Sequence, residues 1–228
     1  MELNERIAHI GKRVETACAR SGRRAEDIHL VAVTKTISLE ATADVIRSGL
    51  RHVGENRLQD ALPKREALGI DAVWHFIGHL QTNKVRDVVG KFQYIHSLDR
   101  SSLAAEIEKK ASALGITVDC FVQVNVSGEE SKFGLAPEQL FAFADSLNAC
   151  SHIRVAGLMT MAPYEAEPEA TRPVFRGLRE LRDELNRRAV LSYEVPHLSM
   201  GMSNDFEVAI EEGATWIRLG TVLVGKEQ

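Results

Sequence analysis

Cysteine is scarce in this 228-residue chain and does not pair off: Cys18, Cys120 and Cys150 are odd in number and far apart. That argues against a disulfide framework or a cysteine zinc site and fits reduced thiols in a cytoplasmic protein. A long apolar run at the N-terminus is also missing. MELNERIAHIGKR interrupts its apolar residues with charges, so it reads as neither signal peptide nor membrane span. Nor is there an excess of one charge: 28 Lys plus Arg against 32 Asp plus Glu leave a net charge of −4. Neither nucleic acid nor an anionic membrane is therefore expected as the main partner. No His or Cys cluster has metal-ligand spacing, so no metal is expected, and no pair of carboxylates is spaced for acid/base work. No low-complexity tract or domain boundary interrupts the chain, and the expectation is a single domain over residues 1–228, soluble and monomeric.

What is present is an alternation of short apolar runs with amphipathic stretches. Residues 2–20 carry Leu3, Ile7, Ile10, Val14, Ala17 and Cys18 on one stripe, which predicts a leading helix. Strands are expected at 28–35, 52–56, 73–80, 92–99, 118–126, 153–161, 193–200 and 215–225, with helices between them. Ser38 is an expected N-cap, Pro63 should kink or restart the third helix, and Pro196 weakens the seventh strand. Residues 127–134 and the acidic stretch 163–171 read as loops, and the eighth helix is missing or one turn long. Eight such units in this length predict an α/β fold, a (β/α)8 TIM-type barrel with an extra N-terminal helix. A doubly wound open sheet is the alternative.

In a barrel, chemistry gathers at the carboxyl ends of the strands. The first strand, IHLVAVTK, ends on Lys35, which either reaches solvent or, if partly desolvated, becomes a neutral nucleophile able to form a Schiff base. The other strand ends supply Glu55, Asn56, His79, Ser97, Asp99, Asn125, Met159–Met161, Ser199 and Arg218–Thr221. SMGMSND at 199–205 carries Ser199 and Ser203 into a helix start, with Ser203 read as its cap, and Gly220-Thr221 makes a second small-residue turn. Loops after strands 7 and 8 are where such barrels often bind phosphate. A lysine facing that turn suits a ligand with both a carbonyl and a phosphate, and pyridoxal 5′-phosphate has both. Arg218 needs an acceptor within an apolar strand; it suits a pyridine nitrogen, or equally a structural salt bridge. Asn56 either approaches the lysine nitrogen or caps the next helix. Lys132 is a second possible amine or a loop cation. One of His75 and His79 is a core histidine, and neither is a candidate catalyst.

The runs VAVTK (31–35), GEN (54–56), WHFIGHLQTNK (74–84), SKFG (131–134), GLMTM (157–161), LSMGMSND (198–205) and IRLGT (217–221) span nearly the whole chain. In these the sequence resembles the YggS-type pyridoxal phosphate homeostasis proteins, whose barrel is like the N-terminal domain of alanine racemase (fold type III). The resemblance implies pyridoxal 5′-phosphate as a Schiff base on Lys35, its ring nitrogen at Arg218, and its phosphate at Ser199, Met200, Ser203, Gly220 and Thr221. It implies a role in holding and delivering the cofactor, with pyridoxal-phosphate-dependent apo-enzymes as transient partners and no catalytic turnover. Two alternatives compete: an amino-acid racemase, and a cofactor-free Schiff-base aldolase. A racemase needs acid/base groups on both faces of its substrate. Alanine racemase takes a tyrosine from a second domain not expected here, and Tyr94, Tyr164 and Tyr193 do not end strands beside Lys35. An aldolase would have no need of Arg218.

Overall fold

The protein is described by a computed structural model covering residues 2–163 and 166–225. Eight strands close a barrel in chain order, each parallel to its neighbours, with the eighth paired to the first. They are β1 (His29–Val33), β2 (His52–Glu55), β3 (Val73–Phe76), β4 (Tyr94–Leu98), β5 (Val118–Gln123), β6 (Ile153–Met159), β7 (His197–Ser199) and β8 (Trp216–Leu219). Around them run α1 (Leu3–Ser21), α2 (Leu39–Arg47), α3 (Leu58–Leu68), α4 (Val85–Val88), α5 (Ser101–Leu114), α6 (Leu140–Ser146), α7 (Arg172–Arg187), α8 (Phe206–Glu211) and α9 (Thr221–Val224). The expected barrel with a leading helix is the fold.

Two apolar layers hold it. One core lies between strands and helices and includes Trp74, Ile95, Leu158 and Phe175. A smaller cluster fills the barrel itself: Val31, Phe121, Ala156, Met159 and Trp216. The stripe of α1 is buried at Ile10, Val14, Ala17 and Cys18, and the helix packs on α8 and α9. Those two helices are only six and four residues long, so α1 supplies wall that they cannot. Arg13 locks the contact with a two-pronged bond to Glu207, at 3.0 and 2.8 Å.

Several boundaries differ from expectation for local reasons. β1 stops at Val33 because the chain turns, with the Ile37 N–H donating to the Thr34 carbonyl at 3.2 Å. Lys35 therefore sits on a turn beyond the strand. β7 is confined to three residues after Pro196, which has no N–H for the ladder. Thr221–Val224, expected to prolong β8, is the helix α9, started by Leu223 and Val224 N–H groups on the Gly220 carbonyl at 2.8 and 2.9 Å. The eighth helix is thus one turn. Pro63 neither ends nor restarts α3, which is anchored on both sides of it by buried Ala61 and Lys64. Of the acidic stretch, Pro168–Thr171 forms a 3-10 turn, while Tyr164 and Glu165 lie outside the described residues.

Gly157 in β6 marks the tightest constraint on the sheet. A Cβ there would lie 2.3 Å from the His197 carbonyl oxygen and 2.6 Å from the Phe121 ring. Gly157→Ala should therefore cost on the order of 2 kcal/mol, as overpacking does. Gly11, inside α1, has nothing within 4 Å of such an atom, and Gly11→Ala should instead stabilise by roughly 0.5–1 kcal/mol. Denaturant midpoints of the two variants moving in the same direction would contradict this.

Candidate cofactor site

A cavity of about 760 Å³ opens at the carboxyl ends of the strands. Six of the eight expected site residues line it: Lys35, Asn56, Ser203, Arg218, Gly220 and Thr221. Ser199 and Met200 are fully buried and absent from the lining. Their side chains belong to the support: Ser199 bonds Arg218, and Met200 packs in the outer core. Lys35 is exposed at the cavity, as in the alternative of a strand-end lysine reaching solvent, and it still lines the site. Asn56 does not cap α3, whose N-cap position is Arg57. Its backbone lies close against Gly78, where a Cβ would come within 2.3 Å of the Asn56 carbonyl oxygen.

Ser203 does not cap α8 either, because Asp205 occupies the N-cap position. The Ser203 hydroxyl oxygen accepts from the Gly220 and Val222 N–H groups, each at 3.3 Å. It therefore ties the loop after β7 to the loop after β8, and both loops line the cavity. Gly201 allows this path: its φ is +91°, and a Cβ would lie 2.6 Å from that of Ala209. Asp205 accepts from the Met202 N–H at 2.6 Å, and burial pushes its carboxyl above the usual carboxylate range.

Arg218 is almost wholly buried. Its Nη1 donates to Ser199 Oγ at 2.6 Å and its Nη2 to the Thr160 carbonyl at 3.0 Å. Burial pushes its guanidinium down to about 10, opposed by the charge of Asp205. Behind it runs a chain of imidazoles. His96 Nδ1 lies 2.9 Å from Ser199 Oγ, His75 Nδ1 2.9 Å from His96 Nε2, and His52 Nδ1 3.0 Å from His75 Nε2. Arginine can only donate. With the Ser199 O–H donating to His96 Nδ1, and each Nε2–H donating to the next Nδ1, every link is satisfied by neutral rings.

Several residues at the site are not singled out by sequence reasoning. His96 is one, since its partners come from β3 and β7. Phe133, in the loop after β5, stacks on His79 at 3.9 Å between centroids, and both line the cavity with Gln123 and Asp205. His75 is the core histidine, while His79 faces the cavity. Lys132 is no solvated cation: it pairs with Glu129, approaches the Met161 carbonyl at 3.4 Å, and is not in the lining. Tyr94 stacks on His75 at 4.6 Å, and the Tyr193 hydroxyl accepts from the Val155 N–H at 2.9 Å. Neither lines the cavity. Cys18 and Cys120 are buried free thiols and Cys150 a half-buried one.

Burial holds His75 and His96 well below the usual imidazole range; the neighbouring histidines add to the effect for His75, and Arg218 for His96. In the unfolded chain both would protonate near pH 6.5. Between that value and their folded pKa values only the unfolded state takes up protons, so their stabilisation is complete above about pH 6.5 and is lost on acidification. Each fully depressed imidazole adds ~1.4 kcal/mol of lost stability per pH unit in that window. Unfolding free energies from pH 7.5 to 5 should fall accordingly, and a flat profile would contradict the buried neutral chain.

Comparison with known proteins matches residues 8–228 to the alanine racemase N-terminal domain. The pyridoxal phosphate homeostasis protein of Aquifex aeolicus is 48% identical over 229 residues, covering all of both chains. Among solved structures, PipY of Synechococcus elongatus PCC7942, with PLP bound, is 34% identical at a TM-score of 0.85, covering 98% of this chain and all of that one. Alanine racemase of Clostridium difficile 630 shares the fold at 17% identity and a TM-score of 0.76, with 97% of this chain matched to 56% of that one. A closed eight-stranded parallel barrel, a cavity at its carboxyl ends and these full-length likenesses place the chain in the pyridoxal phosphate homeostasis family, as a protein of the alanine racemase N-terminal domain type.

Proposed function

We propose that this protein binds pyridoxal 5′-phosphate reversibly on Lys35 and holds it for delivery to apo-enzymes that need it. The observation that carries the reading is one cavity lined at once by Lys35, Arg218 and the Ser203–Thr221 loops. These groups answer three features of the ligand: an aldehyde, a pyridine nitrogen and a phosphate. The cavity volume of about 760 Å³ lies within the range of small-molecule sites. The names of the full-length relatives and the PLP bound to PipY support the same ligand.

When bound, the cofactor supplies an aldehyde carbon and an electron-withdrawing ring. The chain's own groups decide how far that ring is used. Arg218 stays protonated at neutral pH even with its guanidinium pushed down to about 10. It donates to a ring nitrogen without protonating it, which leaves the ring a weak electron sink. Ser203, Gly220 and Thr221, in two short loops lining the cavity, would hold the phosphate chiefly through the Ser203 and Thr221 hydroxyls, the Gly220 N–H being engaged with Ser203. Asn56, which lines the same cavity as Lys35, would orient the amine end. Holding, rather than turnover, is the role these groups suit. The racemase alternative lacks support from Tyr94 and Tyr193, which are engaged elsewhere. No helix among the described residues is long and apolar enough to cross a membrane.

Borohydride reduction in the presence of pyridoxal 5′-phosphate should fix the pyridoxyl group on Lys35, as peptide mass mapping reads it. Lys35→Ala should abolish the label. Undiminished labelling of that variant, at Lys132 for example, would contradict the assignment.

A further inference from the structure

Lys35 itself is exposed, yet the residue before it has every polar group committed. Thr34 is fully buried. Its N–H donates to the Gly54 carbonyl at 3.1 Å and its hydroxyl to Glu55 Oε1 at 2.6 Å. Its own carbonyl accepts from Lys64 Nζ at 2.6 Å and from the Ile37 N–H at 3.2 Å. Lys64, reaching in from α3, also pairs with Glu55 Oε1 at 3.0 Å, with side-chain exposures of 9% and 0%. Glu55 Oε2 has no hydrogen-bond partner among the described residues.

A buried ion pair of this kind returns its desolvation cost only when all its lone pairs are satisfied. Here one carboxylate oxygen is left over, so fold stability is a poor reason for the pair. What it does fix is local geometry. Thr34 and Glu55 each stand one residue before a cavity residue, Lys35 and Asn56, and the pair clamps both peptides to α3. A long exposed side chain keeps most of its rotamer freedom; fixing its backbone origin narrows where its amine can reach.

The geometry points to Thr34, Glu55 and Lys64 as positioning residues that set the Lys35 amine for attack on an aldehyde. This rests on the reading of Lys35 given above. In that step the neutral amine nitrogen forms a bond to the aldehyde carbon. The carbonyl oxygen leaves as water with the two amine protons, and no oxidant is needed. Displacement of a reacting group by about 1 Å is enough to cost two orders of magnitude in rate.

The test compares two ligands on the full chain. Pyridoxal 5′-phosphate carries the aldehyde; pyridoxine 5′-phosphate has an alcohol in its place and cannot link to lysine. Thr34→Val removes the hydroxyl without changing shape or charge, Lys64→Met removes the ammonium, and Thr34→Ser keeps the hydroxyl. Thr34→Val and Lys64→Met should slow borohydride-trappable linkage at Lys35 by at least about tenfold while pyridoxine 5′-phosphate affinity stays within about twofold. Thr34→Ser should trap at close to the wild-type rate. If Lys64→Met does not fold, the two Thr34 variants decide the matter. Equal losses for both ligands, or unchanged trapping, would overturn the positioning role. A wild-type chain that binds pyridoxine 5′-phosphate but traps no aldehyde at Lys35 would overturn the underlying reading, and this inference with it.

Discussion

The arrangement depends on a guanidinium buried among neutral groups. Arg218 makes no ion pair among the described residues; a serine hydroxyl and a backbone carbonyl take two of its donors. Taking such a charge out of water costs several kcal/mol unless it is paired, and Arg218 also lines the cavity. A ligand acceptor at the cavity, as proposed above, would add a partner for this buried charge.

The interior behind Arg218 follows from that. Ser199 must accept from the guanidinium, so its own proton is free for His96, and the imidazoles of His75 and His52 continue the chain. An apolar filling would leave the Ser199 hydroxyl without an acceptor, and buried polar groups without partners are costly. The aromatic faces of the same rings still do apolar packing: His96 stacks on Phe121 at 4.3 Å, and His75 on Tyr94. Polar satisfaction along the barrel axis and close packing across it are met by the same side chains.

The alternation of strands and helices is legible in the sequence because a strand covered on both faces has few polar positions, as IHLVAVTK and VDCFVQVNV show. Element ends are less legible. TVLV in 221–224 is β-branched and apolar, but the chain turns at Gly220 and coils instead. Ser203 has the residue type of a cap and sits near a helix start, yet its hydroxyl serves the neighbouring loop, a partner seventeen residues away. Lys35, Arg218 and Gly220-Thr221 are legible because strand ends in a barrel share one face. Their supports are less so: Glu55 shows as a strand end but not as the partner of Thr34 and Lys64, while His96 and Lys64 act through contacts between elements that nothing in local spacing marks.

In the proposed mode of binding, Arg218 meets the ring nitrogen of the ligand and gives it no proton, so the protein keeps the cofactor without activating it. Nitrogen NMR of the complex, with pyridoxal 5′-phosphate labelled with ¹⁵N in its ring, tests this most directly. The ring nitrogen should resonate as an unprotonated, hydrogen-bonded pyridine at neutral pH. A pyridinium signal would contradict the account and would point instead to a ring poised for catalysis.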